Sequence, residues 1–379
     1  VAIGWNLYQL TGNVLDLGLV GLVEFIPRVL FMLHTGHVAD RYERRKVAAI
    51  CQTVQALIAL SLAMGGLTGS VTREMIFILA FLLGAARSFE MPTTQALLPS
   101  IVPSALFPRA VASSQSAQQL ATIVAPALGG LLYAFGSVWV YGPTVALYLI
   151  ACVLTLNLPA RQTPLNKAKA TLDSLLAGIR FIRSRPDILG AISLDLFAVL
   201  LGGATALLPV FAKDILLTGA WGLGLLRSAP AVGALLMSLW LARFSVDRQV
   251  GRVMFTAVGV FGVATIAFGL STSFWFSLAV LVVLGAADMI SMVIRASFVQ
   301  LETPDEMRGR VSAVNGLFIG ASNQLGEFES GITAHWFGTV PAVVMGGVGT
   351  LLVTGVWIKL FPSLANRDRM HVPVEEANV

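Results

Sequence analysis

Apolar runs of about twenty residues follow one another along nearly the whole sequence, broken only by short charged or Gly/Pro-rich stretches. A run of this length crosses a bilayer as a helix. Only 12% of the 379 residues are charged and 56% are apolar, against the ~25% charged of an average soluble protein. With a mean hydropathy of +0.81, the polar residues are too few to cover even one water-soluble domain. The sequence therefore reads as an all-α polytopic membrane protein, with no loop long enough for a separate catalytic domain.

The breaks delimit a partial first span at 1–11, then spans at 18–36, 47–66, 75–92, 110–135 and 138–158. After a linker come spans at 189–212, 221–242, 253–271, 274–293, 311–334 and 340–360. This predicts an N-terminal six-helix bundle over 1–158, a linker over 159–188, a C-terminal six-helix bundle over 189–361 and a tail over 362–379. The first apolar run meets the turn Thr11-Gly12-Asn13 after too few residues to span, so the first helix is expected to be incomplete. No signal-peptide pattern is visible.

Numbering the spans alternately across the bilayer gathers the Lys and Arg of the loops on one side, from Arg41, Arg44, Arg45 and Lys46 to the linker and the tail. Arg73 and Lys213 stand opposite, while Arg28, Arg87 and Arg227 fall within spans and Arg295 falls in a loop. The basic side is cytoplasmic by the positive-inside rule, which puts the C-terminus inside and predicts a bacterial inner-membrane protein. The linker carries a helix-period stripe, Leu172, Leu175, Leu176, Ile179 and Ile182, expected to lie along the cytoplasmic interface. The net charge of +5 comes without an aromatic-basic face, so a lipid bilayer is the expected partner and nucleic acid is not. Cys51 and Cys152 sit inside apolar runs and read as buried small residues rather than a disulfide.

Residues 40–45 and 247–252 both begin Asp-Arg and carry a second Arg five positions after the Asp. Pro103, Arg109, Ala112 and Gly130 correspond to Pro304, Arg310, Ala313 and Gly331 at a nearby offset. Two loops matching at similar offsets indicate a duplicated six-span unit. Because six is even, the repeat is parallel, with a pseudo-twofold axis along the membrane normal.

An ionisable side chain near the bilayer centre costs roughly 2.5 to 3.5 kcal/mol, so it faces the protein interior or a water-filled path. Spans three, six, nine and twelve carry no such residue except Lys359 at one end, and are expected to be peripheral scaffold. The remainder define a candidate cleft: Glu24, Arg28, Arg87, Glu90, Asp195, Arg227, Asp288, Asn323 and Glu327. Glu24 and Arg28 suit an i,i+4 pair, and Arg87 and Glu90 an i,i+3 pair. Asn323, Glu327 and Ser330 share a helical face, from which Glu329 points away. Asp195, Asp288 or Glu327, if desolvated, is a candidate proton carrier; a static hydrogen bond accounts for each equally well. Arg87 and Asp288 occupy repeat-equivalent positions with opposite charge and are candidates for pairing between the halves. Trp5, Gln9, Gln115 and Gln119, with Gln118, offer substrate contacts or helix packing. Pro126 kinks its helix, and Gly129 and Gly130 behind it allow close helix approach.

The loop Gly36-His-Val-Ala-Asp40-Arg41-Tyr-Glu43-Arg44-Arg45 resembles the signature of the major facilitator superfamily, and the six-plus-six count agrees. Thr303-Pro-Asp-Glu-Met-Arg-Gly-Arg-Val-Ser-Ala-Val-Asn315 and Gly320-Ala-Ser-Asn-Gln-Leu-Gly-Glu-Phe-Glu-Ser-Gly331 are similar to the enterobactin-exporter-like, drug:proton antiporter branch. The resemblance implies alternating access driven by an ion gradient, with a conformational latch at Gly36, Asp40, Arg41, Arg44 and Arg45. Such charged groups at a helix start make bonds that exist in one global state only. Two positions depart from the family pattern: Glu43 stands where glycine is common, and Ala125 precedes Pro126 in an incomplete span-five antiporter motif. The expectation is thus a monomeric, proton-coupled exporter of a small amphipathic siderophore or drug. An uptake permease of the same fold, or a non-transporting relative, shares these features. No enzyme is expected: His34, His37, His335 and His371 form no metal set, and no nucleotide-binding phosphate loop is present, so no cofactor is implied beyond the proton gradient.

Overall fold

The computed structural model describes residues 1–158, 172–244, 246 and 248–369, without the side chains of 32, 33, 36, 37, 39, 40, 104, 172–175 and 305. The side chains of Gly36 and Asp40, Asp247 of the repeated motif, linker residues 159–171 and tail residues 370–379 therefore lie outside the described residues.

Short polar caps separate the apolar runs. Helix α1 (Ala2–Thr11) stops at Gly12, whose φ of 60° is left-handed. Asn13 then opens α2 (Val14–Arg41), its side chain accepting from the Leu15 N–H at 3.0 Å. Helix α3 (Arg44–Thr68) ends at Gly69, with φ 67°, and Thr72 caps α4 (Arg73–Ile101). Helices α5 (Phe107–Tyr133) and α6 (Ser137–Leu156) follow. Next come α7 (Leu172–Ser184) and α8 (Pro186–Gly202), then α9 (Leu208–Val210) between a 3₁₀ turn and a π-turn, and α10 (Gly219–Arg243). The chain continues through α11 (Val250–Gly269), α12 (Phe274–Leu301), α13 (Asp305–Phe337), α14 (Thr339–Leu360) and α15 (Pro362–Ala365). Among the described residues there is no strand, and eight helical stretches are long and apolar enough to cross a membrane. The protein is a multi-pass membrane protein.

Two expectations about the spans are corrected. Residues 189–212 do not form one helix: α8 stops at Gly202, and Gly203 leads into the 3₁₀ turn Ala204–Leu207. The carbonyl freed at Gly203 is taken by the Ser330 hydroxyl at 2.9 Å. The fourth, tenth and eleventh spans run past the apolar boundaries, because α4, α12 and α13 keep helical geometry into their charged ends. Arg295, assigned above to a loop, consequently lies inside α12.

The chain divides into two compact units, one comprising Val1–Ala170 and Thr218–Gly224, the other Thr171–Leu217 and Leu225–Val379. In the first, α2 packs on α4 and α3 on α6 around Leu7, Leu62, Ile76 and Tyr141. Gly84 makes the α2–α4 approach possible, since a Cβ there would fall 2.1 Å from the Glu24 carbonyl oxygen. Gly130 likewise lies against Ala220 and Gly224 of the same unit, whereas Gly129 faces open space.

In the second unit, Leu194, Met254, Phe298 and Leu364 belong to one core. Helix α7 packs on α13 through Ile179 and Ile182, the latter buried with Val311 and Val314, while Leu176 is exposed. Gly178 lets α7 approach the Arg310 carbonyl, because it has no Cβ to meet it. The segment after α14 straps the ends of three helices. The Arg367 and Asp368 carbonyls accept from the Gly251 and Val250 N–H groups, two orphan donors at the start of α11. The Arg367 guanidinium bonds Asp187 at 2.9 Å and also Glu302, and lies over the Phe298 ring.

Arg367→Ala should lower the stability of the purified protein by about 2 kcal/mol, the scale of charge-assisted bonds lost from a mostly buried group. Thermal unfolding followed by tryptophan fluorescence reads this out; an unchanged midpoint would mean that the strap holds through its backbone alone.

Candidate functional site

In the first unit, the approach at Gly84 sets Arg87 of α4 beside Glu24 of α2. Glu24 Oε1 accepts from Arg87 at 2.7 Å and from Arg28, one turn along α2, at 3.0 Å. Two guanidiniums thus share one carboxylate, and both are partly exposed, 44% and 37% of the side chain. The expected Glu24–Arg28 pair forms. The Arg87–Glu90 pair does not: Glu90 accepts from the Gln55 amide of α3 at 2.5 Å, and Gln55 accepts from the Tyr148 hydroxyl of α6 at 2.9 Å. Helix α4 turns these two side chains toward different neighbours, α2 and α3. Arg87 is therefore engaged within its own unit, where the charge pattern offered Asp288 as a partner.

A second pair in this unit was missed in the sequence. Asp16, 1% exposed, receives a bidentate bond from Arg73 at 2.9 and 2.7 Å, tying the starts of α2 and α4. Asp16 stands just before the apolar run that defined the second span, and a one-dimensional reading leaves it in a loop.

Among the substrate-contact candidates, Trp5 is 4% exposed. Of the two expected roles this position favours packing, because α1 turns the indole into the core of its unit. Gln9 accepts from Tyr133 at 3.3 Å; Gln115 of α5 is exposed and Gln119 is half-buried. Both cysteines are free thiols.

Of the latch positions, Arg41 is exposed, Arg44 donates to the Ala96 carbonyl at 3.0 Å and Arg45 to the Leu158 carbonyl at 3.1 Å. Glu43, the departure from the family pattern, is the local hub: it is the N-cap of α3 and pairs with Arg45 and, at 2.9 Å, with Lys46. Those bonds hold its carboxyl below the ordinary value of 4.5. A carboxyl depressed in the fold adds stability that is present above its ordinary value and is lost as pH falls through the folded value.

The second unit carries the other acids. Asp195 of α8 is 7% exposed and pairs with Arg295 of α12, itself 3% exposed. Asp288, two turns earlier on α12, lines with Asp195 and Ser291 a cavity of about 10 Å³, room for no more than one water molecule. Arg227 of α10 stands 4.0 Å from Glu327 of α13. The three residues expected on one face of α13 have separate partners: Asn323 donates to the Ile319 carbonyl of its own helix, Glu327 faces Arg227, and Ser330 donates to Gly203. Glu329 accepts from Thr333 at 2.7 Å. The missed signal for Arg295 is its spacing of seven from Asp288, which puts both on one face if the helix continues.

The Major Facilitator Superfamily model matches residues 1–327. Enterobactin exporters of Escherichia coli and Citrobacter koseri are 26% and 27% identical over 354 residues, covering 93% of this chain and 81% of theirs. Among solved structures, a mutant of the nucleoside transporter NupG aligns with a TM-score of 0.71 at 18% identity, covering 95% of this chain and 94% of that one. A bacterial homologue of the iron transporter ferroportin in its inward-facing state gives the same TM-score and identity, covering 96% and 95%.

Glu43→Gln should lower the thermal midpoint at neutral pH, and the difference from wild type should close as pH falls below 4.5. A difference that stays constant through the acid range would remove the Glu43 ion cluster as its cause.

Proposed function

As the chain belongs to the Major Facilitator Superfamily and is a secondary active transporter of small molecules, we propose that it exports an amphipathic siderophore-like molecule in exchange for protons. The observation that carries this reading is the similarity to enterobactin exporters, which runs through nearly the whole chain rather than through one motif. The charges of the first unit fit such a cargo. Two arginines sharing the Glu24 carboxylate leave donors for negatively charged oxygens of a solute, and a guanidinium presents them in a fork suited to paired oxygens. Gln115 on α5 adds an exposed amide, and Gln119 a half-buried one, for neutral oxygens.

The energy source in this reading is the proton gradient, with Asp195, Asp288 and Glu327 as the acids available to it. The task is transport rather than catalysis, performed by a monomer in a bacterial inner membrane with the basic loops and C-terminus on the cytoplasmic side. The latch is Gly36, Asp40, Arg41, Arg44 and Arg45, as the family resemblance implies. In this structure Arg44 and Arg45 hold the Ala96 and Leu158 carbonyls; as a latch, such bonds exist in one global state only.

Expression in a strain lacking its own siderophore exporter should restore secretion of enterobactin into the medium, measured by chromatography, and a protonophore should abolish the restored efflux. Secretion no better than in the empty strain would remove the siderophore, and efflux insensitive to the protonophore would remove the proton. Asp40→Asn should reduce efflux tenfold or more with membrane insertion unchanged; normal turnover would remove Asp40 from the latch.

A further inference from the structure

The ionisable side chains along the spanning helices of the second unit are unequally matched. Asp195 has Arg295 and Glu327 has Arg227, while Glu329 accepts from the Thr333 hydroxyl. Asp288 pairs with no cation among the described residues, although it lines the same small cavity as Asp195.

The elements packed around this cavity leave few other charges to consider. Helix α11 presents Val258 and Phe261 there, both apolar; its Arg252 is exposed near the other end of that helix. Helix α10 meets α12 where Pro230 lies against Gly285, and its Arg227 is directed to Glu327 on α13. Asp187, Glu302 and Arg367 form their own cluster at the end of the unit. On α12 itself, Asp288, Ser291 and Arg295 follow at spacings of three and four and so share a face, with Arg295 about 10 Å beyond Asp288 along the axis at 1.5 Å per residue. Arg295 thus reaches Asp195 from outside the cavity lining, and among the described residues no cation reaches Asp288.

We propose that Arg295 is a positioning residue for proton coupling: it supplies the countercharge of Asp195, so that Asp288 alone takes up and releases the proton at this cavity. This rests on the proton-driven transport proposed above and adds which acid carries the proton and why its neighbour does not. Asp288 is half-buried beside a cavity with room for no more than one water; a carboxylate so placed without a countercharge relieves its partial desolvation by binding a proton, and one already paired with a guanidinium has less to gain. The proton enters from the side of high proton activity onto the Asp288 carboxylate and leaves to the other side as the unit changes state. No covalent bond other than O–H is made or broken.

Removing Arg295 alone leaves Asp195 buried without a partner and can unfold the protein, so the pair is removed together. Three variants are compared with wild type in proteoliposomes: Asp288→Asn, the double variant Asp195→Asn/Arg295→Gln, and Arg295→Gln. Infrared difference spectra between acid and neutral pH read carboxyl protonation directly, and a trapped pH dye reads proton movement on addition of enterobactin. The protonated-carboxyl band should be present in wild type, absent in Asp288→Asn and retained in the double variant. Enterobactin-linked proton flux should fall tenfold or more in Asp288→Asn and stay within about threefold of wild type in the double variant. Arg295→Gln, where it folds, should titrate in two steps, because two uncompensated carboxylates then share the cavity.

Loss of the band or of the proton flux in the double variant would overturn the proposal, as would a band that survives Asp288→Asn. A wild type with the Asp288 band but no proton movement would refute proton coupling while leaving the assignment of Arg295 standing.

Discussion

The energy required to hold an ionised group away from water orders the interior of this protein. Most of the interior charges find a partner within reach, and the helices are brought close enough to supply one. Gly84 shows how: with a Cβ there, α2 and α4 would stand further apart and Glu24 would not reach Arg87. The bidentate Asp16–Arg73 pair repeats the device at the start of the same helices. These contacts set where α2 and α4 sit, and so where the rest of the first unit packs.

The two units solve the same problem with opposite balances. In the first, two arginines converge on a single carboxylate; in the second, two carboxylates line one cavity, and an arginine from outside its lining pairs with one of them. The repeat is visible beneath the difference. Gly84 on α4 and Gly285 on α12, equivalent in the two copies, both lie against the backbone of a preceding helix, Glu24 in one case and Pro230 in the other. Packing by small residues persists through the duplication, while the charges above it have diverged.

Much of this was legible in the sequence because membrane insertion leaves a one-dimensional trace. Span positions, the internal repeat and the short list of intramembrane charges all follow from where polar residues are absent. Helix continuation past an apolar boundary leaves no such trace. Arg295 lies beyond the apolar end of its run and reads as a loop cation, yet α12 keeps its geometry to Leu301 and carries Arg295 into the interior. Asp16 escaped for the mirror-image reason, at the start of α2. The choice of partner was illegible as well: Arg87 and Glu90 are well spaced for a pair, and only the packing of α4 between α2 and α3 shows that they face different helices. The broken helix at Gly202–Gly203 had a sequence signal, two consecutive glycines within an apolar run, which hydropathy masks.

Glu43 illustrates how a departure from a family pattern acquires a physical meaning. Glycine at that position would leave the start of α3 without a carboxylate. Glu43 places one at the positive end of the helix, where it also gathers Arg45 and Lys46. In the second copy the position matching Glu43 is Val250 and the N-cap of α11 is Gln249, neither of them charged, and the carboxylate comes instead from the tail: Asp368 accepts from the Gln249 N–H at 3.1 Å. The same electrostatic requirement at a repeated helix start is met from within the loop in one copy and from a distant segment in the other. Because the tail also carries Arg367 to Asp187 and Glu302, the second copy gains a connection among α8, α11 and α12 that a local cap does not provide.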